Sequence, residues 1–492
     1  MNDTSKEHIL FLTGKLAEKR LQRVLQSMQP ADFTYEVRNI GLSVAALMTA
    51  RMLLRRLSAL DDIHRILVPG LCRGDLAEVH AHIGLPVERG PEDLKDIPAF
   101  FGRSGKAPDL SQHDVRIFAE ITEAPLMSVQ AILDRAARYI ADGADVIDIG
   151  CLPETPFPHL EETVAALHEA GCKVSVDSLE DEDLLRGGRA GADYLLSLKK
   201  STLWIADEVP SIPVLIPEPH ADMPGFYETI AEFSKKGGPF IVDSVLDPIH
   251  FGFTDSLARY HALRREFPEV EIMMGIGNIT ELTEADTTGI NAVLFGIISE
   301  LRITNVLTTE VSPHARSVVR ESDRARRIMY AAREEGSLPK GIDPSLLTTH
   351  ARKPFPYSPE EIGEMAAEVR DPSYRVMVSE TGIHVYNRDG IQVAEDPFEL
   401  FPRLDLLQDD APHAFYMGVE LARARIAWLL GKRYRQDEEL DWGAAVAPAG
   451  DREKEQHSKS AHALKGKAAD PSAYKAAGST LQAARKKRKK KS

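Results

Sequence analysis

Three aspartates in this chain close runs of apolar residues: Asp148 in GADVIDIG, Asp177 in KVSVDS and Asp247 in SVLDPIHFG. Asn278 closes another, EIMMGIGN. A carboxylate withdrawn from water binds a guanidine-like N–H edge through two parallel, charge-assisted hydrogen bonds. If these ends share one opening, that opening suits a flat nitrogen heterocycle carrying such an edge. Acidic residues at strand ends also cap the helix that follows, but repetition on successive units favours a common mouth. Other reactive residue types read as structural. His250 has no second ligand at metal spacing, Met273-Met274 belongs to a buried strand, and His413 sits in a helix-start region. Cys72, Cys151 and Cys172 form no CxxC pair, which speaks against a disulfide framework and a cysteine zinc site.

The elements that must carry these residues repeat. Between about 110 and 340, apolar strands (RIFAEIT, DVIDIG, KVSVDS, YLLSL, VLIPE, FIVDSV, EIMMGIGN, TNVLTTEV) alternate with stretches of helical periodicity such as SVQAILDRAARYIADG and HLEETVAALHEAG. Eight such units predict a closed α/β barrel, (β/α)8, whose chemistry gathers at the carboxyl ends of the strands. Residues 1–105 also alternate strand and helix and predict a small Rossmann- or flavodoxin-like accessory domain, followed by a polar link, DLKDIPAFFGRSGKAPDL. Gly14-Lys15 lacks the other glycines of a phosphate loop, and GxGxxG is absent. Over 345–445, a helix PEEIGEMAAEVR, a meander with TG and DG turns and a long helix APHAFYMGVELARARIAWLLGKRY predict a small α+β domain. Its apolar positions suit packing on the barrel or on a second subunit, and a homodimer is expected.

Charge divides along the chain. From Gly450 to Ser492 there are 13 Lys+Arg against 4 Asp+Glu, net +9, whereas the preceding residues carry net −24. So acidic a body repels phosphate backbones, which makes the basic tail, 449–492, the one segment suited to nucleic acid or another acidic partner. The tail, ending RKKRKKKS, is expected to be disordered. No run is long and apolar enough to span a membrane, and a cytoplasmic protein is expected.

The run GADVIDIGCLPETPFP resembles a stretch of the dihydropteroate synthases, as do VSVDS and LDPIHFGFT, in the order and spacing of that pterin-binding barrel family. The resemblance covers about residues 114–335. It implies that Asp177 and Asp247 hold a pterin, that Asp148 lies at the substrate mouth, and that Ser197 stands where the synthases have a pterin-binding asparagine. Glu120 and Thr122 fall near residues that contact diphosphate and magnesium, and Arg302 aligns with an arginine near the leaving group. Two departures stand out. GIGNIT replaces the segment with the pterin-binding lysine, putting Asn278 there and resembling the strand of corrinoid-dependent pterin methyltransferases. The loop GCLPETPFP lacks the diphosphate-binding arginine.

A likeness to the dihydropteroate synthase-related proteins of tetrahydromethanopterin-using organisms extends over nearly the whole chain, in ILFLTGKLAEKRLQRVL, VPGLCRGDL, GIGNITELTEADTTGINAVL and NVLTTEVSPHARS. It implies a transferase that joins 6-hydroxymethyl-7,8-dihydropterin diphosphate to 4-(β-D-ribofuranosyl)aminobenzene 5′-phosphate with loss of diphosphate. With few arginines at the mouth, Mg²⁺ near Glu120 or Asp148 is the expected counter-charge. His314, Arg316 and Arg320, past strand eight, are candidates for the arylamine's phosphate. Methyl transfer to a corrinoid protein, and pterin binding without catalysis, are the alternatives.

Overall fold

The structure is a computed structural model that describes residues 6–57, 60, 62–102, 108–404 and 411–447. The basic tail lies outside the described residues. The chain forms two compact units. One gathers residues up to Val115 with Phe295–Arg302 and Arg326–Asp343, and the other gathers the rest.

The first unit contains β1 (Glu7–Thr13), α1 (Lys15–Ser27), β2 (Phe33–Asn39), α2 (Ala50–Arg56), β3 (Arg65–Val68), α3 (Leu76–Ile83), β4 (Val87–Arg89) and α4 (Ile97–Phe100). The strands lie in the parallel order β2-β1-β3-β4. Side chains of β1 alternate between two cores, as a pleated central strand requires. Leu10 and Leu12 pack with Leu53 of α2 and Val79 of α3, whereas Ile9 and Phe11 pack with Leu21 and Leu25 of α1 and Ile97 of α4. The stretch expected to be a polar link therefore begins with a short helix that plugs one of these cores. At the carboxyl end of β1 the N-terminus of α1 is already filled. Lys15 N–H donates to the Leu42 carbonyl (2.7 Å) and Leu16 N–H to that of Ser43 (3.1 Å). A Cβ on Gly14 would lie 2.7 Å from the Ala45 nitrogen, so no phosphate fits against this turn.

The second unit is built on β5 (Arg116–Ile121), α5 (Val129–Ala141), β6 (Val146–Gly150), α6 (Leu160–Glu169), β7 (Lys173–Asp177), α7 (Asp181–Arg189), β8 (Tyr194–Leu198), α8 (Ile205–Glu208), β9 (Ile212–Leu215), α9 (Met223–Ser234), β10 (Ile241–Val242), α10 (Phe253–Glu266), β11 (Glu271–Gly275), α11 (Gly277–Thr280), α12 (Thr287–Glu300), β12 (Asn305–Thr309) and α13 (Val318–Glu334). The eight strands close into a parallel barrel, with β12 pairing β5 and β9 pairing β10. Phe118, Val146, Tyr194, Leu196, Val214, Ile241 and Met273 form a buried cluster inside it. This is the apolar floor on which the mouth residues stand.

In the same unit α14 (Pro359–Glu368) starts at a capping box in which the Ser358 and Glu361 side chains each accept from the other's backbone N–H. The expected meander follows as β13 (Arg375–Ser379), β14 (Gly382–Asn387) and β15 (Gly390–Ala394), antiparallel throughout. Gly382 and Gly390 supply the positive φ of its two turns. After α15 (Pro397–Leu400), the helix α16 (Ala411–Leu430) packs Met417, Leu421 and Ala424 onto Val376, Ile383 and Val385 of the sheet. Among the described residues, no helix is long and apolar enough to cross a membrane.

Candidate active site

The mouth follows from strand periodicity. Two residues beyond the floor, on the same inward face, the apolar layer gives way to polar groups: Phe118 to Glu120, Val146 to Asp148, Ile241 to Asp243 and Leu307 to Thr309. Glu120, Asp148 and Ser175 pair in register across β5, β6 and β7, and Thr309 of β12 pairs with Glu120 from the other side. Asp177 stands one inward step above Ser175.

Carboxylate oxygens of Glu120, Asp148 and Asp177 thus lie within 4.8 Å of one another. A Cβ on Gly150 would sit 2.6 Å from Glu120 Oε1, so the bare glycine makes room for that carboxylate. Asp148 is fully buried. Ser175 Oγ donates to its Oδ1, and its Oδ2 has no hydrogen-bond partner. Burial pushes the Asp148 carboxyl up to about 7 even though the Ser175 hydroxyl favours its charged form. Burial, then the charges of Asp148 and Glu281, push Glu120 up to about 8. Asp177 is held well above the usual carboxylate range by burial and by Asp148, Glu120 and Asp243. An orphaned, fully buried oxygen among hard carboxylate donors fits a divalent cation such as Mg²⁺, which Asp148 and Glu120 would hold.

Asp243 and Glu281 are mouth residues that sequence reasoning missed. Asp243 accepts from Tyr260 Oη (2.5 Å) and from the Val245 N–H (2.7 Å), and burial pushes it up to about 6 against these bonds. Its inward parity with Ile241 was the available signal. Glu281, just past α11, accepts from Thr309 Oγ1 (3.1 Å) and from the N–H groups of Val311 (2.9 Å) and Ser312 (2.7 Å). It pins the loop after β12, a role without periodicity in sequence.

The remaining expected residues divide. Thr122, immediately beyond β5, and Ser197, near the end of β8, lie half-buried on the mouth side. Asp247 follows β10 by five residues and is engaged by Arg259 (2.7 Å) and by His220 Nε2 (2.9 Å). Asn278 Nδ2 donates to the Leu246 carbonyl (2.7 Å), tying the loops after β10 and β11 together. His314 contacts the Thr280 carbonyl through Nε2 (3.1 Å), and Arg316 is exposed. Two expectations are corrected. Arg302 lies in the turn that enters β12, at the amino end of the strand whose carboxyl end holds Thr309, so it is on the wrong end of the barrel for a leaving group at the mouth. Arg320 forms a two-pronged ion pair with Asp142 (2.7 and 2.9 Å) at the end of α5 and also contacts the Ala444 carbonyl (3.4 Å), which commits its guanidinium to the outer layer. Cys151 borders the acids, but burial and then the charges of Asp183, Asp148 and Asp177 keep its sulfur a protonated thiol rather than a nucleophile.

Residues 7–92 match a family of unknown function, DUF6513. Along most of its length the chain is similar to an uncharacterized protein of Methanocaldococcus jannaschii, 24% identical over 523 residues that cover 88% of this chain and 98% of that protein. Among solved structures it is similar to the Yersinia pestis dihydropteroate synthase with a pterine-sulfa conjugate, at 16% identity over 46% of this chain and 96% of that one, TM-score 0.36. It is also similar to the Thermus thermophilus dihydropteroate synthase in complex with 6HMPPP, at 19% identity over 45% of this chain and 95% of that one, TM-score 0.34.

Proposed function

We propose that the barrel binds a pterin and that the chain joins 6-hydroxymethyl-7,8-dihydropterin diphosphate to 4-(β-D-ribofuranosyl)aminobenzene 5′-phosphate, releasing diphosphate, in tetrahydromethanopterin biosynthesis. The observation that carries this reading is the convergence of Glu120, Asp148 and Asp177 at one opening, on the segments whose sequence resembles the pterin-binding synthases. Asp177 and the neighbouring Asp243 are the carboxylates suited to the guanidine-like edge of the ring. Asp148, with its open oxygen, and Glu120 would hold Mg²⁺, which supplies the positive charge for departing diphosphate. With Arg302 at the amino end of β12, the arginine expected near the leaving group does not serve that purpose.

In the reaction the C–O bond to diphosphate breaks as the arylamine nitrogen bonds to the pterin methylene, and the surplus proton of the new ammonium passes to solvent or to a mouth carboxylate. The protein's share is orientation in a recess closed below by apolar side chains. Incubating the chain with both substrates and Mg²⁺ should release diphosphate and yield the coupled product by mass. Release without the arylamine, or none with both present, refutes the assignment. Asn278, in the short helix α11 that follows β11, favours a second reading, methyl transfer from a methylated pterin to a corrinoid protein. Methyl transfer from methyl-tetrahydromethanopterin to such an acceptor would replace the first.

A further inference from the structure

The carboxyl-end loops of β5, β6 and β7, the strands that carry the three mouth acids, are themselves acidic. Glu123, Glu154 and Glu180 on these loops are exposed, as are Asp181 and Glu182 in the first turn of α7, so a negative rim flanks this side of a negative centre. At that centre the fully buried Asp148, whose carboxylate groups with those of Glu120 and Asp177, keeps its Oδ2 without a hydrogen-bond partner. A concentration of one sign in a recess over a low-dielectric floor draws cations strongly.

The same chain carries an opposite charge that its catalytic chemistry does not use. Arg485, Lys486, Lys487, Arg488, Lys489, Lys490 and Lys491 form an unbroken basic run. The described chain stops at residue 447, shortly after the Ala444 carbonyl meets Arg320 in the first turn of α13. α13 follows β12, and β12 pairs with β5, the strand of Glu120. From residue 448 to the run there are about 40 residues, a contour length on the order of 130 Å at about 3.3–3.6 Å per residue, which exceeds the width of a barrel. A partner carried on the same chain binds intramolecularly, so even a weak electrostatic contact is populated at low salt.

We infer that the basic run 485–491 docks on the acidic barrel mouth of its own chain and competes there with divalent cation. The rim offers the carboxylates of Glu123, Glu154 and Glu180 to cationic groups, beside the exposed apolar side chains Leu126 and Leu179. The inference rests on the mouth's charges and not on the identity of the substrate, so it stands or falls separately from the pterin reading.

The test compares the full-length chain with a full-length variant in which all seven residues, Arg485 to Lys491, are changed to Gln. Mg²⁺ binding is measured by calorimetry, and carbodiimide cross-links between lysines and carboxylates are mapped by mass spectrometry. At about 0.01 M salt the variant should bind Mg²⁺ about 3- to 10-fold more tightly, and the difference should vanish near 1 M, where the screening length falls to about 3 Å. In the native chain, cross-links should join Lys486–Lys491 to the rim acids and be lost on adding saturating Mg²⁺. Equal Mg²⁺ affinities at low salt overturn the inference, as does a difference that persists at high salt. Cross-links confined to other acidic surfaces overturn it too. So does a variant that loses binding to duplex DNA while Mg²⁺ binding stays unchanged, because the run's partner would then be a nucleic acid.

Discussion

Replacing Asp148 by Asn should make the metal-free protein more stable in alkaline solution. Asp148 is fully buried, and its carboxyl is raised from 3.8 to about 7. A group whose folded pKa is raised keeps its proton longer in the folded state. Its contribution is therefore intact below the unfolded value and is lost as the pH rises through the folded one. A rise of about 3 units corresponds to about 4 kcal/mol withdrawn once the pH exceeds about 8, and to less than about 1 kcal/mol near pH 4. Asn keeps the shape, still accepts from Ser175 and carries no charge to desolvate. It also offers an N–H₂ to Glu120 and Asp177. Urea titrations in EDTA should show the variant ahead of the native protein by up to about 4 kcal/mol near pH 9 and level with it near pH 4. Mg²⁺ should narrow that lead at pH 9 to about 1 kcal/mol, because a ligand at about 100 times its Kd stabilises the binding-competent chain by about 2.7 kcal/mol and the variant lacks the central ligand. A variant less stable than the native chain at pH 9 without metal would refute the strain at this carboxylate, and one stabilised equally by Mg²⁺ would refute its role as a ligand.

Tyr260→Phe removes the phenol that donates to buried Asp243 and should cost about 1–3 kcal/mol by chemical denaturation; an unchanged midpoint would mean that the bond contributes nothing. Arg320→Met leaves the nearly buried Asp142 without its guanidinium and should lower stability by about 3 kcal/mol. Its affinity for the phosphorylated arylamine should be unchanged, and a large rise in KM for that substrate would restore the phosphate-binding role withdrawn above. Gly150→Ala brings a methyl group within 2.6 Å of Glu120 Oε1. Weaker Mg²⁺ binding at nearly native stability is expected, since the flexible carboxylate can turn away, and unaltered binding would remove Glu120 from the set of ligands.

The eight strands were legible because a parallel barrel buries both faces of each one, leaving short apolar runs that end abruptly in a polar residue, as in VIDIG and VSVD. The inward-facing acids were harder to find. At β10 the regular strand is only Ile241–Val242, and the eye passes over Asp243 to Asp247 in the more distinctive LDPIHFG, although parity with buried Ile241 points the nearer aspartate inward. Arg302 received its role from the alignment with an arginine of the synthases and not from strand periodicity. The strand TNVLTTEV starts after it and pairing begins at Asn305, so the arginine enters the strand instead of leaving it. In the first unit α3 begins just after Asp75, whose side chain accepts from the Ala77 N–H. That signal was present but was overshadowed by the glycines and charges around it.

These features point the same way energetically. The apolar floor beneath the mouth gives the barrel its closed shape and also removes the water that would otherwise solvate Glu120, Asp148, Asp177 and Asp243. Ser175 and Tyr260 relieve that cost only in part, since burial still outweighs their hydrogen bonds in the raised carboxyls of Asp148 and Asp243. The unrelieved part is available to whatever binds. A cation, or a ring edge that donates two N–H groups, recovers interactions the empty mouth lacks, so affinity here comes from strain in the free protein rather than from many contacts. It also follows that the positive charge must arrive with the ligand. Arg320 and Arg259 are already paired with Asp142 and Asp247, and a mouth that kept its own guanidinium would have neutralised the acids in advance and given up that selectivity.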